Sequence, residues 1–438
     1  MRAGESASLV LRGATVLDPV AGIDARHDIV VRDGAIAELV APGEASAEGL
    51  EEIDAGALHA FPAFFDPHVH LRTPGQEHKE DIETGARSAA AGGYCGILAM
   101  ANTEPPVSTP ADVEALLADA RAAAAVKVGF LATVTRAMEG EELTEMASLR
   151  DVGAAGFSDD GLPIRSARVL RRALQYQRLC GGTIALHEED PELSGAGVMH
   201  EGPVSAALGL EGIPSVSEST MIARDAALAG YEGGRIHVQH LSATESVEAV
   251  RAAKAAGVQI SCEASPHHLC VTDEEVRSLD AMRFKMNPPL RAEADRQALI
   301  EGLRDGTIDC IATDHAPHHP AEKELPFPAA PNGVIGLETA FPALVLGLIE
   351  PGIVPLEVIV ERMTAGPARA FGLPRPRLAV GAEADLALWD LRERYTVSES
   401  DLHSRSRNCA FLGREVQGRC LLTLAAGRTA HGAKAVAA

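Results

Sequence analysis

The feature that most constrains the fold of this chain is a regular alternation of short apolar runs with alanine-rich helical segments between residues 63 and 315. Stretches such as EDIETGARSAAAGG and DVEALLADARAAAA have helical composition, and the apolar runs between such stretches are typical of buried strands. The eight predicted strands are 63–70, 94–100, 127–134, 153–160, 183–187, 235–241, 258–265 and 309–315. Eight strands joined by crossover helices predict an α/β fold of the (β/α)8 TIM-barrel type. A doubly wound open sheet is the alternative, but no GxGxxG motif follows the first strand.

The two ends of the chain have a different pattern, in which apolar and polar residues alternate in short bursts. Residues 7–60 contain LVLRGATVLD and DIVVRDGAIAELV, with glycine and aspartate at the turns, which predicts β-hairpins. The pattern returns after residue 375 in GAEADLALWDL and EVQGRCLLTLAAGRTA. We therefore predict that residues 1–60 and 373–438 together form one small β-sandwich-like domain beside a catalytic barrel over residues 61–372.

Composition narrows the classes of function and the compartment. A net charge of −23 argues against a surface that binds nucleic acid or anionic lipid. Seven cysteines without a CxxC pair are typical of a reducing compartment, and the N-terminus lacks the apolar core of a signal peptide. The longest apolar stretch, AFPALVLGLIEPGIVPLEVIV, is interrupted by Glu350, Pro351 and Pro355 and predicts a buried helix followed by a turn. We expect a cytoplasmic protein with a small-molecule substrate and neither a nucleic-acid nor a membrane partner.

Side chains that can bind a metal recur where the predicted strands end. They are His68 and His70 on the first strand, Asp160 on the fourth, His187 on the fifth, His240 on the sixth and Asp314 on the eighth. Catalytic groups of a (β/α)8 barrel lie at the C-terminal ends of its strands. A single histidine in such a place is more often structural, but six residues at the same end of five strands indicate a metal site.

In FFDPHVHLRTPG, a single residue separates the two histidines of the first predicted strand. Side chains alternate along a strand, so His68 and His70 both point into the barrel, and so does Asp66. Asp66 is either a hydrogen-bond partner of a ligand or a polar residue of the barrel floor. Histidine and carboxylate ligands without thiolate suit Zn²⁺, and Mn²⁺, Co²⁺ or Fe²⁺ are compatible. Because six ligands exceed what one tetrahedral ion needs, we expect one or two zinc ions per subunit, with two favoured.

An ordered set of motifs carries a resemblance to a known family. HxH alone is a weak signal, but the whole set resembles the amidohydrolase superfamily and, within it, the type I bacterial dihydroorotases. Over residues 62–341 the matching stretches are DPHVHLRTPGQEHKEDIETG, GGYCGILAMANTEPP, AGFSDDG, ALHEED, HVQHLSA, EASPHHL, MNPPLR, DCIATDHAPHHPAEK and NGVIGLET.

The resemblance implies a role for each matching residue. The metal ligands would be His68, His70, Asp160, His187, His240 and Asp314. Asp160 would be the bridging carboxylate, with Asp159 of the same FSDDG motif as the alternative. Substrate would be bound by Arg72, Asn102, Asn287 and His318, and through the backbone by Asn332 and Gly333.

The resemblance also implies an activity, the reversible cyclisation of N-carbamoyl-L-aspartate to L-dihydroorotate in pyrimidine biosynthesis. Asp314 would take a proton from the attacking water and return it to the departing amide nitrogen. Arg72 would hold the substrate carboxylate with its bidentate fork. A homodimer and an association with aspartate transcarbamoylase are further implications.

Two other functions fit parts of the pattern. Hydantoinases and allantoinases share the barrel and the HxH motif, but a carbamylated lysine bridges their metals. The only lysines between His70 and His187 are Lys79, after the first strand, and Lys127, which begins the third strand at the opposite end of the barrel. The other alternative is a non-catalytic subunit that scaffolds aspartate transcarbamoylase, although such proteins lack some of the ligands present here.

Overall fold

The computed structural model describes residues 4–432 and contains eighteen strands and fourteen α-helices in this range. The strands are β1 (Leu9–Asp18), β2 (Ile23–Arg32), β3 (Ala35–Val40), β4 (Glu51–Asp54), β5 (His59–Pro62), β6 (Phe64–Val69), β7 (Tyr94–Ala99), β8 (Lys127–Ala132), β9 (Gly156–Ser158), β10 (Ile184–Leu186), β11 (Met199–His200), β12 (Gly212–Ile213), β13 (Arg235–Val238), β14 (Gln259–Ala264), β15 (Cys310–Ile311), β16 (Leu386–Thr396), β17 (Glu415–Ala425) and β18 (Arg428–His431).

The helices mostly follow the barrel strands. They are α1 (Ile82–Ala91), α2 (Pro110–Ala123), α3 (Met146–Asp151), α4 (Ala167–Cys180), α5 (Pro191–Ser194), α6 (Pro203–Leu208), α7 (Val216–Glu232), α8 (Thr244–Ala255), α9 (Pro266–Cys270), α10 (Glu293–Asp305), α11 (Pro320–Lys323), α12 (Ala340–Leu344), α13 (Leu356–Met363) and α14 (Ala365–Phe371). None of the helices between residues 4 and 432 combines the length and the apolar character needed to cross a bilayer.

Local sequence explains why the helices begin where they do. Asp81 caps α1 by accepting from the backbone N–H of Thr84, and the Thr84 hydroxyl lies against the backbone N–H of Asp81, which forms a capping box. Thr109 and Asp112 form the same box at α2, where proline occupies the first helical position. The caps satisfy N–H groups that the first turn of a helix leaves unpaired.

The eight predicted barrel strands are all present and form one parallel sheet in the order β6-β7-β8-β9-β10-β13-β14-β15. A parallel bridge between Val69 and His315, with the His70 N–H 2.9 Å from the His315 carbonyl oxygen, closes the sheet beyond the short strand β15. The predicted (β/α)8 barrel is therefore confirmed. Because all eight strands run in the same direction, the residues at their C-terminal ends meet on one face.

Strands from both ends of the chain form a second eight-stranded sheet in the order β18-β17-β16-β5-β1-β2-β3, with β4 paired to β1. The antiparallel pair β5 and β16 joins the two ends, with Phe61 opposite Ala387. The domain bounds predicted at residues 60 and 372 stay a prediction, and residues 1–3 and 433–438 of those domains lie outside the described range.

The single tryptophan packs between this sheet and the barrel. Trp389 is fully buried, and its ring centroid lies 5.7 Å from that of Phe64 and 4.6 Å from that of Phe341. Gly93 has φ +82°, and a Cβ there would lie 2.5 Å from the indole. Any larger residue at position 93 would therefore displace the tryptophan ring or the backbone. The aromatic cluster fixes the start of β6, the strand that carries the HVH motif.

Candidate metal centre

Six side chains from five barrel strands meet at the C-terminal face of the barrel. This six-residue cluster consists of His68, His70, Asp160, His187, His240 and Asp314, and every member is buried. His68 lies within β6, whereas the other five lie one to three residues beyond the ends of β6, β9, β10, β13 and β15. The structure thus brings all six predicted metal-ligating residues to one place.

The Asp160 carboxylate lies at the centre of the six-residue cluster. Its Oδ2 is 3.6 Å from His68 Nε2 and 3.5 Å from His70 Nε2. Its Oδ1 is 3.8 Å from His187 Nδ1 and 3.6 Å from His240 Nε2. Each oxygen therefore faces two imidazole nitrogens, so one carboxylate stands between two pairs of histidines.

Asp314 completes the cluster on the side of the first pair. Its Oδ1 lies 3.1 Å from His70 Nε2 and 3.4 Å from His68 Nε2. Two ligands of one tetrahedral zinc ion, each about 2.0–2.1 Å from the metal, are about 3.3 Å apart. The spacings within the cluster match that separation.

Buried atoms without partners test whether the cluster fits a metal. Among the described residues, His68 Nε2 and Asp160 Oδ1 are buried and have no hydrogen-bond partner. Leaving such an atom unsatisfied costs about 1–3 kcal/mol, and both atoms face the middle of the cluster. Their donor types, imidazole nitrogen and carboxylate oxygen, are those that bind zinc and similar divalent ions. The residues present therefore fit a metal centre.

Electrostatics within the cluster favour ionised carboxylates. Burial alone would raise the pKa of Asp160, but the charge of His68 and the close approach of the His240 and His68 rings hold that pKa well below its usual range. Burial opposes the shift at Asp314 too, where a hydrogen bond with His70 and the neighbouring imidazoles lower the pKa. Both carboxylates are thus anionic at neutral pH, the form that binds a cation.

The two aspartates of FSDDG have different surroundings, which distinguishes between the two sequence alternatives. Asp159 accepts from the backbone N–H of Val134 at 2.7 Å and of Thr135 at 3.1 Å, and from the Thr135 hydroxyl. It therefore fixes the loop after β8. Asp160 is the aspartate that faces the histidines.

Polar partners outside the six-residue cluster orient three of its histidine rings. Nδ1 of His68 lies 2.6 Å from Glu263 Oε1, and Nδ1 of His70 lies 2.9 Å from Asn102 Oδ1. Nε2 of His187 lies 3.2 Å from Glu189 Oε2, which directs its Nδ1 towards Asp160. A hydrogen bond at one ring nitrogen leaves the other nitrogen for a metal.

Sequence reasoning did not identify Glu263 or Glu189, and it left the role of Asp66 open. Glu263 is the one charged residue of β14, which reads QISCEA, and this is a signal that could have been followed. Asp66 accepts from the Thr313 hydroxyl at 2.6 Å and from the backbone N–H of His68 at 3.0 Å. It ties β6 to the end of β15, and burial raises its pKa to about 7.

All six predicted substrate-binding residues line one cavity of about 240 Å³ beside the cluster. They are Arg72, Asn102, Asn287, His318, Asn332 and Gly333. Arg72 donates through Nε to the Pro317 carbonyl oxygen at 3.1 Å, and this bond orients its guanidinium at the cavity wall. His318 Nε2 donates to the Asn332 carbonyl oxygen at 2.7 Å, while burial and the charge of Arg72 lower the pKa of His318 to about 3. His318 is therefore neutral at physiological pH.

The lysines and the additional histidines lie elsewhere. Lys127 Nζ is 2.6 Å from Glu383 and 2.8 Å from Asp385, next to the terminal sheet, and Lys79 Nζ is 3.0 Å from Glu322. Neither lysine lines the cavity. In EASPHHL, Nε2 of His268 lies 3.0 Å from the Pro288 carbonyl oxygen, so this histidine has a structural partner outside the six-residue cluster.

Sequence comparisons place the chain among known families. A family model described as dihydro-orotase-like matches residues 59–246, and an amidohydrolase family model matches residues 204–431. A dihydroorotase of Anaeromyxobacter sp. (strain K) is 46% identical over 97% of this chain and 98% of its own. A dihydroorotase of Geobacter sp. (strain M21) is 45% identical over 97% and 99%.

Solved structures show the same fold. An L-hydantoinase (dihydropyrimidinase) from Arthrobacter aurescens has a TM-score of 0.84 at 27% identity, covering 96% of this chain and 95% of its own. A dihydropyrimidinase from Brevibacillus agri NCHU1002 has a TM-score of 0.84 at 23% identity, covering 98% and 95%, which is a likeness of fold alone.

Proposed function

We propose that this chain, which belongs to the dihydroorotase family of the amidohydrolases, catalyses the reversible cyclisation of N-carbamoyl-L-aspartate to L-dihydroorotate. The observation that carries this function is the Asp160 carboxylate between two pairs of histidines at the end of β9. The enzyme is a hydrolase of cyclic amides in the direction of ring opening, and its family depends on metal.

The six-residue cluster would bind two metal ions. His68, His70 and Asp314 would hold one ion, His187 and His240 a second, and Asp160 would bridge them, with zinc as the expected element. When bound, the metal lowers the pKa of a coordinated water and polarises the amide carbonyl.

Arg72 and its neighbours would recognise the substrate. The guanidinium of Arg72 offers the planar fork that matches a carboxylate. Asn102, Asn287 and His318 supply further polar groups from other walls of the same cavity, and Asn332 and Gly333 supply backbone groups. An anionic substrate accounts for a partly buried cation at this position in a protein whose net charge is −23.

Asp314 would move the proton. In ring opening its carboxylate accepts the proton of the attacking water and delivers it to the amide nitrogen as the ring C–N bond breaks. In cyclisation it takes the proton from the carbamoyl nitrogen and returns it to the departing water. Its lowered pKa keeps it ready to accept at neutral pH.

The assignment is tested with four cyclic amides, L-dihydroorotate, hydantoin, dihydrouracil and allantoin, each with and without a chelator. We expect turnover of dihydroorotate far above that of the other three, and its loss after chelation. A preference for hydantoin or allantoin would assign the chain to another cyclic amidohydrolase. No turnover by metal-loaded protein would favour a scaffolding subunit.

Further proposals follow from the same resemblance. The chain would be of type I, cytoplasmic and homodimeric, with a small β domain formed by its two ends. The seven cysteines are all free, which is consistent with a reducing compartment. Light scattering of the purified protein, alone and with aspartate transcarbamoylase, tests the dimer and the partner.

A further inference from the structure

A short irregular segment from the C-terminal part of the chain, residues 404–408, lies against the loops at the catalytic face. Ser404, Ser406 and Asn408 are buried, whereas Arg405 is exposed and Arg407 is partly buried. Each of the three buried side chains donates a hydrogen bond to a loop at this face. They face the loops that follow β6 and β15.

Asn408 connects two loops of the substrate cavity through one amide. Its Oδ1 accepts from the backbone N–H of His318 at 3.3 Å, and its Nδ2 donates to the carbonyl oxygens of Ala316 at 3.1 Å and Gly333 at 3.0 Å. The opposite amide orientation would place Oδ1 against two carbonyl oxygens, so the assignment of oxygen and nitrogen follows from the contacts. Both donors and one acceptor of the side chain are used.

The two serines extend the contact to other loops. The Ser406 hydroxyl lies 2.7 Å from the carbonyl oxygen of His318 and 2.9 Å from that of Lys79, and can donate to either. The Ser404 hydroxyl donates to Glu80, whose carboxylate lies 3.3 Å from His315 Nε2. His315 directly follows Asp314, so the segment reaches the loop that carries the proposed base.

The loops that Asn408 connects approach each other closely. Gly333 has φ +130°, and a Cβ there would lie 2.8 Å from Ala316 Cβ and 3.0 Å from His318 Nε2. Their relative position therefore sets where His318 and the Gly333 backbone meet a ligand. Asn408 does not line the 240 Å³ cavity but stands behind its wall.

We propose that Asn408 is a positioning residue for substrate binding, which holds the His318 and Gly333 loops in the arrangement that the substrate needs. The 404–408 segment, contributed by the chain after the barrel, thus completes the binding side of the active site. This inference rests on the proposed function, because the substrate-binding role of the two loops is part of it.

The experiment compares Asn408→Asp, Asn408→Ala and Ser406→Ala with the wild type. The matched control is Gln417→Glu, because the Gln417 amide is also buried and donates to a backbone carbonyl oxygen, that of Leu391 at 2.9 Å, in the terminal sheet. We measure kcat and KM in both directions, bound metal, and the shift in melting temperature caused by saturating L-dihydroorotate.

For both Asn408 variants we expect KM to rise roughly tenfold, with metal content unchanged and kcat changed much less. The stabilisation by L-dihydroorotate should shrink in the Asn408 variants and persist in Gln417→Glu. Asn408→Asp retains the side-chain shape, and together with Ser406→Ala it decides the question if Asn408→Ala does not fold.

Wild-type KM in Asn408→Asp and Ser406→Ala would overturn the inference. So would a lower melting temperature with KM unchanged, because that would make Asn408 merely structural. A wild type and a control that are both inactive on L-dihydroorotate would instead overturn the proposed function, and this inference with it.

Discussion

Glu263 Oε1 lies 2.6 Å from Nδ1 of His68, and both side chains are buried. The other carboxylate oxygen lies 3.0 Å from Nε2 of His237, so one buried anion holds two imidazoles. Because Nδ1 of His68 faces Glu263, Nε2 is the ring nitrogen that points to the centre of the six-residue cluster and would bind a metal. The carboxylate therefore orients the ring of the first proposed ligand.

Glu263→Gln should weaken metal binding by about 10–100-fold, because the neutral amide orients His68 less strongly and lowers its basicity. Metal retained per subunit after dialysis against graded chelator concentrations measures this. Glu232→Gln is the control, since Glu232 pairs with Arg171 on the outer helices at 2.5 Å. Metal retention equal to the wild type in Glu263→Gln would contradict the role of this carboxylate.

The sequence predicts the barrel well because strand and helix periodicities are local properties. The site is harder to complete, since Glu263 and His68 are 195 residues apart and only the folded barrel brings them together. Asp159 and Asp160 are neighbours of identical type, and their difference comes from the backbone N–H groups of Val134 and Thr135. The strands β9 and β15 are shorter than predicted, because the polar residues 159–160 and 313–315 at the site lie beyond the regular strands.

Asp314→Asn should lose turnover of L-dihydroorotate by about 10²–10⁴-fold, because an amide cannot accept the proton of water. The melting temperature and the circular dichroism spectrum should remain near those of the wild type. Asp309→Asn is the matched control. Asp309 directly precedes β15, the last barrel strand, at the end opposite Asp314, and pairs with Lys254 at 2.6 Å. Turnover near the wild-type rate in Asp314→Asn would remove Asp314 as the base.

Lys127→Met should retain both bound metal and turnover. The Lys127 ammonium pairs with Glu383 and Asp385 at a half-exposed site beside the terminal sheet, where such pairs contribute at most about 1 kcal/mol. Metal analysis and turnover, each with and without added bicarbonate, measure the effect. Activity that needs bicarbonate and disappears in Lys127→Met would indicate a carbamylated lysine and contradict the proposed Asp160 bridge.

Asp28→Asn should destabilise the terminal sheet in a pH-dependent way. Burial raises the pKa of Asp28. Arg12 at 2.9 Å and the backbone N–H groups of Gly13 and Gly43 lower this pKa by a larger amount, so the net shift is downward. The stabilisation is then complete above the unfolded pKa of about 3.9 and is lost as the pH falls through the folded pKa.

At pH 7 the variant should lose about 1.5–3 kcal/mol of unfolding free energy, the usual contribution of hydrogen bonds to a charged group. Urea unfolding of the wild type and the variant, measured in parallel from pH 7 to pH 3.5, checks this, because metal loss affects both proteins alike. The difference between them should shrink below about pH 4. A difference that stays constant down to pH 3.5 would show that the Asp28 charge does not contribute.

The most direct test of the account is the rate of L-dihydroorotate hydrolysis by one protein sample before chelation, after chelation and after zinc is restored. We expect turnover to fall to background when the metal is removed and to return in proportion to the zinc bound, up to two ions per subunit. Undiminished turnover by metal-free protein would contradict the central claim that the six-residue cluster is a catalytic metal centre.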